Sequence, residues 1–334
     1  MPSRPLRRSP ASLGAVVRLL VVAVALACLP HQGAVARAQD DLPADDGFTV
    51  IEGRDGHLFL DLEFENLCAW KGARFEAALQ RLDKLADLIT RSGRRVVFTV
   101  APGKTTIERA AVVWREVPRR RCARTGLREQ LKVLDRFASP AYVPLRRAIE
   151  RDDRQTYWRT DGHWTTVGAT HWTHALARHL DPRLARRQHY SFGTSTAVGY
   201  LNTIRGVSVP ETIPTAVYDG SVRVRTAKDS VDDLGATDSY PVDHSWVSRP
   251  RAETWPGHTL LVGDSFTLLA LDQLRPLFAR GRYLWTGNVP EQTIADAVAE
   301  SDTVVLELVQ FFAAGNPLTT KSLRTLVRQA LAQQ

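Results

Sequence analysis

Cysteine is scarce: three in 334 residues cannot staple a fold of this length, so stability must come from a buried core. Long apolar runs are scarcer still. The longest, Leu19–Leu29, falls short of the about 20 residues that a membrane span needs. Ahead of it stand Arg4, Arg7, Arg8 and Arg18, behind it the small-residue triplet Ala36-Arg37-Ala38, and residues 1–38 contain neither lysine nor acid. That pattern is an export signal, read as cleaved after Ala38, with an uncleaved anchor as the alternative. Its five arginines leave with it, which takes the formal charge from +8 to +3. The pI of about 9.7 is thus in part a targeting feature and no argument for a nucleic-acid partner.

Other absences narrow the chemistry. No His-Glu-x-x-His pattern and no cysteine ligand accompanies His163, His171 and His174, so no metal is expected. Gly103-Lys104-Thr105 ends like a phosphate-binding loop, but Phe98 stands where the first glycine is required, which excludes nucleotide binding. No other cofactor signature is present, and neither an internal repeat nor a low-complexity tract interrupts the chain. Export leaves Cys68 and Cys122 in a compartment that permits oxidation; a disulfide between them is expected, two buried thiols being the alternative.

What is present is an ordinary globular composition, 44% hydrophobic and 24% charged, enough for one large α/β domain or two small ones. Residues 39–50 read as a linker carrying the acidic stretch Asp40–Asp46, and residues 51–334 as the domain. Phe75, Leu79, Leu82, Leu85, Leu88 and Ile89 recur at helical spacing and predict a helix over 73–89. Val96–Val100 predicts a buried strand, and 166–180 a second helix. The pattern then repeats, with strands at 259–262 and 303–309 and helices at 266–279, 291–300 and 318–332. Strands alternating with helices imply a parallel sheet covered on both faces. The stretch 191–256 lacks helical periodicity and reads as an irregular or β insertion at the edge of the site. Arg115, Arg119, Arg120, Arg121 and Arg124 around Cys122 read as a solvated loop, or else as a basic patch for an acidic glycan.

Two constellations carry chemistry. The first is Leu260-Leu261-Val262-Gly263-Asp264-Ser265-Phe266, an apolar strand running into a polar turn and a helix. In an open parallel sheet ligands bind beyond the carboxyl ends of the strands, and the start of a helix offers unpaired N–H donors to an oxyanion. Ser265 is therefore either a nucleophile or a helix cap. The second is Thr160-Asp161-Gly162-His163-Trp164-Thr165, an acid two residues before a histidine, with Gly162 between them free to take an unusual backbone angle. A serine nucleophile needs a base beside it and a carboxylate that fixes the base's tautomer, which Asp161 and His163 supply from one loop; the alternative is a capped polar turn. Lys104 lines the site or is a solvated loop lysine. Trp164 stacks on a sugar or packs in the core.

Asp-Gly-His-Trp-Thr followed roughly a hundred residues later by Gly-Asp-Ser-Phe resembles the SGNH-hydrolase-like domain of alginate O-acetyltransferases, the AlgJ and AlgX type. Three further stretches are similar to that family: Glu52–Leu60, Ala101–Ile107 and Asp302–Gln310. The order is also the family's, with the Asp-x-His block before the serine block, whereas ordinary SGNH esterases have it reversed. Tyr200, in Gly199-Tyr200-Leu201-Asn202, stands where the family pattern has an acid. The resemblance implies an SGNH-like α/β fold with Ser265 as nucleophile, His163 as general base and Asp161 as its orienting acid. It also implies acetyl transfer to the hydroxyls of an exported polysaccharide, in the periplasm or on the exterior face, with a membrane-bound O-acyltransferase as acetyl source. An acetylesterase with the same residues, and a non-catalytic glycan-binding subunit of an export complex, are the alternatives.

Overall fold

Burial sets where this chain forms strands. The computed structural model describes residues 49–230 and 243–334. The two most continuously apolar runs, β3 (Arg95–Ala101) and β11 (Thr303–Val309), lie side by side in parallel, with every residue of β11 buried. Around them forms a seven-stranded sheet of order β4-β3-β11-β9-β10-β8-β7. Its other members are β4 (Tyr142–Val143), β7 (Arg223–Ser230), β8 (Asp243–Arg249), β9 (Trp255–Gly263) and β10 (Phe278–Trp285). The first five in spatial order run parallel, while β8 and β7 add antiparallel at one edge. The result is the mostly parallel α/β sheet that the alternating pattern implied.

Helices cover both faces, as strands buried on two sides require. Phe75, Leu79 and Leu82 of α2 (Ala73–Arg91), Ile294 of α6 (Glu291–Ala299) and Leu323 and Val327 of α7 (Lys321–Ala332) join one apolar cluster with Phe98, Val262 and Leu306. On the other face Trp172 and Leu176 of α4 (Thr166–Leu180) and Phe266 of α5 (Ser265–Leu269) pack with Val97, Leu261 and Val305. A third, smaller cluster joins the hairpin β1 (Val50–Glu52) and β2 (Leu58–Leu60) to α1 (Asp61–Ala69) and α3 (Arg120–Arg136). Cys68 of α1 and Cys122 of α3 are joined there by a disulfide, Cα to Cα 5.2 Å. Opening it by Cys68→Ser with Cys122→Ser is expected to cost about 2–4 kcal/mol, since it closes a loop of more than fifty residues in the unfolded chain. Thermal unfolding with and without reductant reads that difference; identical midpoints once the bond is open would remove the disulfide from the stability of this cluster.

Two expectations need correction. The helix expected over 266–279 is broken: α5 stops at Leu269, a helical turn over Leu271–Leu274 and a 3-10 turn over Arg275–Leu277 follow, and Phe278 begins β10. The charges in Phe278-Ala279-Arg280-Gly281-Arg282 hid this strand. Arg282 is neutralised by Asp243 on β8 (2.8 and 3.0 Å), and Gly281 leaves room for Trp246. The basic stretch around Cys122 is a loop only in part: Arg115 and Arg119 lie in exposed turns, whereas Arg120 opens α3, which turns Arg120, Arg121 and Arg124 to solvent and buries Ala123, Leu127, Val133 and Leu134. The stretch 191–256, expected as irregular or β, is strand over most of its described length, interrupted by the helical turns Tyr200–Ile204 and Arg251–Glu253. β5 (Tyr190–Ala197) and β6 (Glu211–Tyr218) make an antiparallel hairpin, and β7 and β8 widen the main sheet. The export signal and most of the acidic linker lie outside the described residues. Among the described residues no helix is long and apolar enough to cross a membrane.

Candidate active site

The loop 156–165 is pinched at its base. Thr165 N–H donates to Thr156 O (2.8 Å), and Tyr157 bridges Trp164, so residues between them bulge over the sheet. The bulge carries Asp161 and His163. Asp161 Oδ1 accepts from the His163 backbone N–H (2.9 Å) and lies 2.7 Å from His163 Nδ1. On the other side of the ring, His163 Nε2 lies 2.8 Å from Ser265 Oγ. Ser265 stands at the carboxyl end of β9, where the topology places ligands. The three side chains form one hydrogen-bonded line from a fully buried carboxylate to a part-exposed hydroxyl. With Nδ1–H given to Asp161, Nε2 is the acceptor, which allows a proton to pass from the serine to the imidazole.

Capping does not account for these residues. Asp264 caps α5, its Oδ1 accepting from Phe266 N–H (2.9 Å), which leaves the Ser265 hydroxyl to His163. Thr165 caps α4, accepting from Gly168 N–H, so Asp161 is not a helix cap either. Burial alone would raise the Asp161 carboxyl. The charge of His163 and the hydrogen bonds from His163 and the Tyr200 amide overcome this and hold it at about 2.

Several of the groups that hold this line were missed in the sequence. Tyr200 N–H donates to Asp161 Oδ2 (2.9 Å), so the position where the family has an acid acts here through its backbone. That approach needs Gly199, where a Cβ would meet Thr160 O at 2.3 Å. Glu211, the first residue of β6, accepts from Arg159 N–H, Thr160 N–H, Thr160 Oγ1 and Gln155 Nε2 at 2.7–2.9 Å, bracing the loop from outside. Both residues sit in the stretch read as an insertion; Tyr200 stands out only as a departure from the family pattern, and no motif marks Glu211.

Lys104 and Trp164 are corrections. Lys104 is wholly buried, and its Nζ donates to Leu58 O, Arg159 O and Asp161 O at 2.6–2.7 Å. It pins the Asp161 loop to β2 and is out of reach of a substrate; burial pushes its pKa down to about 8. Lys104→Met keeps the bulk and strands three carbonyl groups. We expect a loss of about 3–5 kcal/mol in urea unfolding, whereas a loss below about 1 kcal/mol would mean that water replaces the amine. Trp164 is 1% exposed, with Phe266 edge-on at 4.9 Å and Trp172 at 5.8 Å. It supports the ring of Phe266, which itself packs 5.0 Å from His163, and no sugar can stack on it. Gly162 is not in the left-handed region, so its backbone does not demand glycine. His171 and His174 are engaged elsewhere, with Asp152 (2.8 Å) and Gln188 O (3.2 Å).

A pair of acids lies under the serine turn. Glu307, 1% exposed in the middle of β11, accepts at Oε2 from Asp264 N–H (3.2 Å) and Thr267 Oγ1 (2.7 Å). Asp264 Oδ2 accepts from Val309 N–H (2.7 Å). Gly263 makes room for Glu307, since a Cβ there would lie 2.7 Å from Oε2. A lone acid inside Thr-Val-Val-Leu-Glu-Leu-Val was the signal for it in the sequence.

Residues 50–242 match the family described as SGNH hydrolase-like domain, acetyltransferase AlgX. No curated protein matches the chain by sequence. Among solved structures, Bacillus cereus PatB1 superposes with a TM-score of 0.56 at 14% identity, over 82% of this chain and 99% of that one. A DHHW family protein from Eubacterium siraeum gives 0.53 at 13% identity, over 86% and 96%. The O-acetyltransferase domain of Pseudomonas putida AlgJ gives 0.48 at 18%, over 85% and 99%.

Proposed function

Because the chain belongs to the SGNH-hydrolase-like AlgX acetyltransferase family, we propose that it is an exported O-acetyltransferase that acetylates the hydroxyls of a polysaccharide. The observation that carries this reading is the unbroken line Asp161–His163–Ser265, with contacts of 2.7 and 2.8 Å. Ser265 Oγ attacks the acetyl carbonyl as its proton passes to His163 Nε2. The leaving group takes that proton, and an acetyl ester remains on Ser265. A sugar hydroxyl then gives its proton to His163 and attacks the ester, and the proton returns to Ser265 as the acetylated sugar leaves. Asp161 keeps the ring in the required tautomer and offsets its charge while it is protonated. The Ser265 N–H, at the first position of α5, is a donor for the oxyanion of both steps.

The reading places the protein outside the cytoplasm, on the strength of residues 1–38 and of a disulfide that an oxidising compartment sustains. Its partners are then a polysaccharide acceptor and a membrane-bound O-acyltransferase that supplies acetyl groups. Intact-mass spectrometry after brief exposure to an activated acetyl ester tests the chemistry. One acetyl adduct on Ser265, discharged faster when oligosaccharide is added, is the expected result. An adduct that water discharges at the same rate with or without sugar makes the protein an esterase. Glycan binding without any adduct makes it a non-catalytic subunit.

A further inference from the structure

The carboxyl groups of Asp264 and Glu307 touch within the protein, directly beneath the proposed nucleophile. They are in hydrogen-bond contact, and each is already committed to other donors. Both Asp264 oxygens accept from backbone N–H groups, those of Phe266 and Val309. That donor pattern suits an anion. Glu307 differs: Oε2 accepts twice, while the buried Oε1 receives no N–H or O–H donor among the described residues. An oxygen buried beside a carboxylate with nothing donated to it is stable only when it carries the proton itself. We propose that Glu307 is a positioning residue for Ser265: in its neutral acid form it donates from Oε1 to Asp264, and this bond locks the nucleophile turn in register with His163.

The lock has a defined path. The β11–β9 pairing sets Leu306 opposite Val262, so Glu307 comes beneath Gly263 and reaches both sides of the turn, at Asp264 N–H and Thr267 Oγ1. The far side is tied to β10 and the residue after it: Tyr283 Oη donates to Asp264 O (3.0 Å) and Thr286 N–H to Gly263 O (2.9 Å). Asp264 in turn holds Phe266 N–H, which fixes the residue between them, Ser265, at the start of α5. Burial first, and then the Asp264 charge, raise the Glu307 pKa well above the usual carboxylate range. The other titratable groups facing the pair are His163 across the turn, Tyr283 on β10, and Tyr157, with Glu63 and Glu108 beyond it. Both phenols are pushed well above their ordinary value by burial and stay neutral. Ionising Glu307 would set two adjacent negative charges against one turn. Because its folded-state pKa is raised, what the neutral acid contributes is complete below the unfolded value and is lost as pH rises through the folded one.

The proposal rests on Ser265 being the nucleophile, and its test has one arm that does not. Infrared spectra of the full protein should contain a protonated-carboxyl stretch that disappears in Glu307→Gln. If Glu307→Gln removes no such band, Glu307 is ionised and the proposal fails, whatever the enzyme does. The kinetic arm follows acyl transfer from an activated acetyl ester against pH. Glu307→Ala should lower kcat about 10- to 100-fold, the scale of a slightly misplaced reacting group. Glu307→Gln should stay within a few-fold of wild type near neutrality, because its amide also accepts at one atom and donates at the other. It should also lack the alkaline decline of the wild type. Equal losses in the two variants, or the same alkaline decline in wild type and Glu307→Gln, would overturn the positioning role. Should Glu307→Ala fail to fold, the glutamine variant and the infrared band decide. A wild type that turns over no ester counts against the proposed function, and the infrared band still decides whether Glu307 holds the proton.

Discussion

Ser265→Ala is expected to abolish the acetyl adduct and to lower acyl transfer about 10⁶-fold, the loss seen when a serine nucleophile is removed from a Ser-His-Asp site. The fold should hardly register the change. Ser265 is part-exposed, Asp264 does the capping of α5, and the Oγ makes its contact with His163. Removing one oxygen leaves His163 with its Asp161 partner and exposes Nε2 to water at the mouth of the site, so no buried group is stranded. Unfolding within about 0.5 kcal/mol of wild type is expected, the range of surface substitutions. Ester turnover that survives at wild-type rate would remove Ser265 from the chemistry. Turnover lost together with stability would mean that the hydroxyl holds the loop in place.

How much of this could be read in advance depended on whether a residue's role was local. The strand over 303–309 and the helix over 166–180 were legible because burial on both faces makes a continuous apolar run, and burial on one face makes a helical stripe. β10 was not, because the partner that neutralises Arg282 comes from β8, 39 residues earlier. The same distinction divides the site. Asp161 and His163 are two residues apart, and Ser265 follows a clear strand, so the candidate site was visible in two short motifs. The scaffold around them is non-local. Lys104 looked like a loop cation until the fold closed carbonyl groups from β2 and the Asp161 loop around its amine. Tyr200 acts through its backbone N–H, which any residue but proline has, so its side chain carried no signal. Trp164 was ambiguous between a sugar platform and the core. Aromatic neighbours from α4 and α5 decide for the core.

Asp161→Asn separates the orienting role of this residue from its place in the loop. The carboxylate accepts at Oδ1 from both the N–H and the Nδ1 of His163, and at Oδ2 from Tyr200 N–H. An amide has one acceptor oxygen. With its NH₂ toward Tyr200, two donors meet in a buried space. With its NH₂ toward His163, Nδ1 becomes an acceptor and the ring proton moves to Nε2, where it blocks uptake of the serine proton. Either placement also removes the negative charge that offsets a protonated His163. The expected cost is about 10⁴ in kcat, as when an orienting aspartate becomes asparagine in a serine triad. Since the carboxyl is held at about 2 in the folded protein, from an ordinary 3.8, the wild-type group stays ionised through the neutral and mildly acidic range. Its contribution to stability fades only as pH falls from the unfolded value through about 2, so protonation of Asp161 does not account for activity lost at higher pH. Rates of Ser265 acetylation in wild type and Asp161→Asn, taken beside urea unfolding of both, check this. A drop of less than about tenfold with clear destabilisation would leave Asp161 as a loop anchor, like Lys104. A drop near the full expected size in a protein that unfolds normally assigns it to the imidazole.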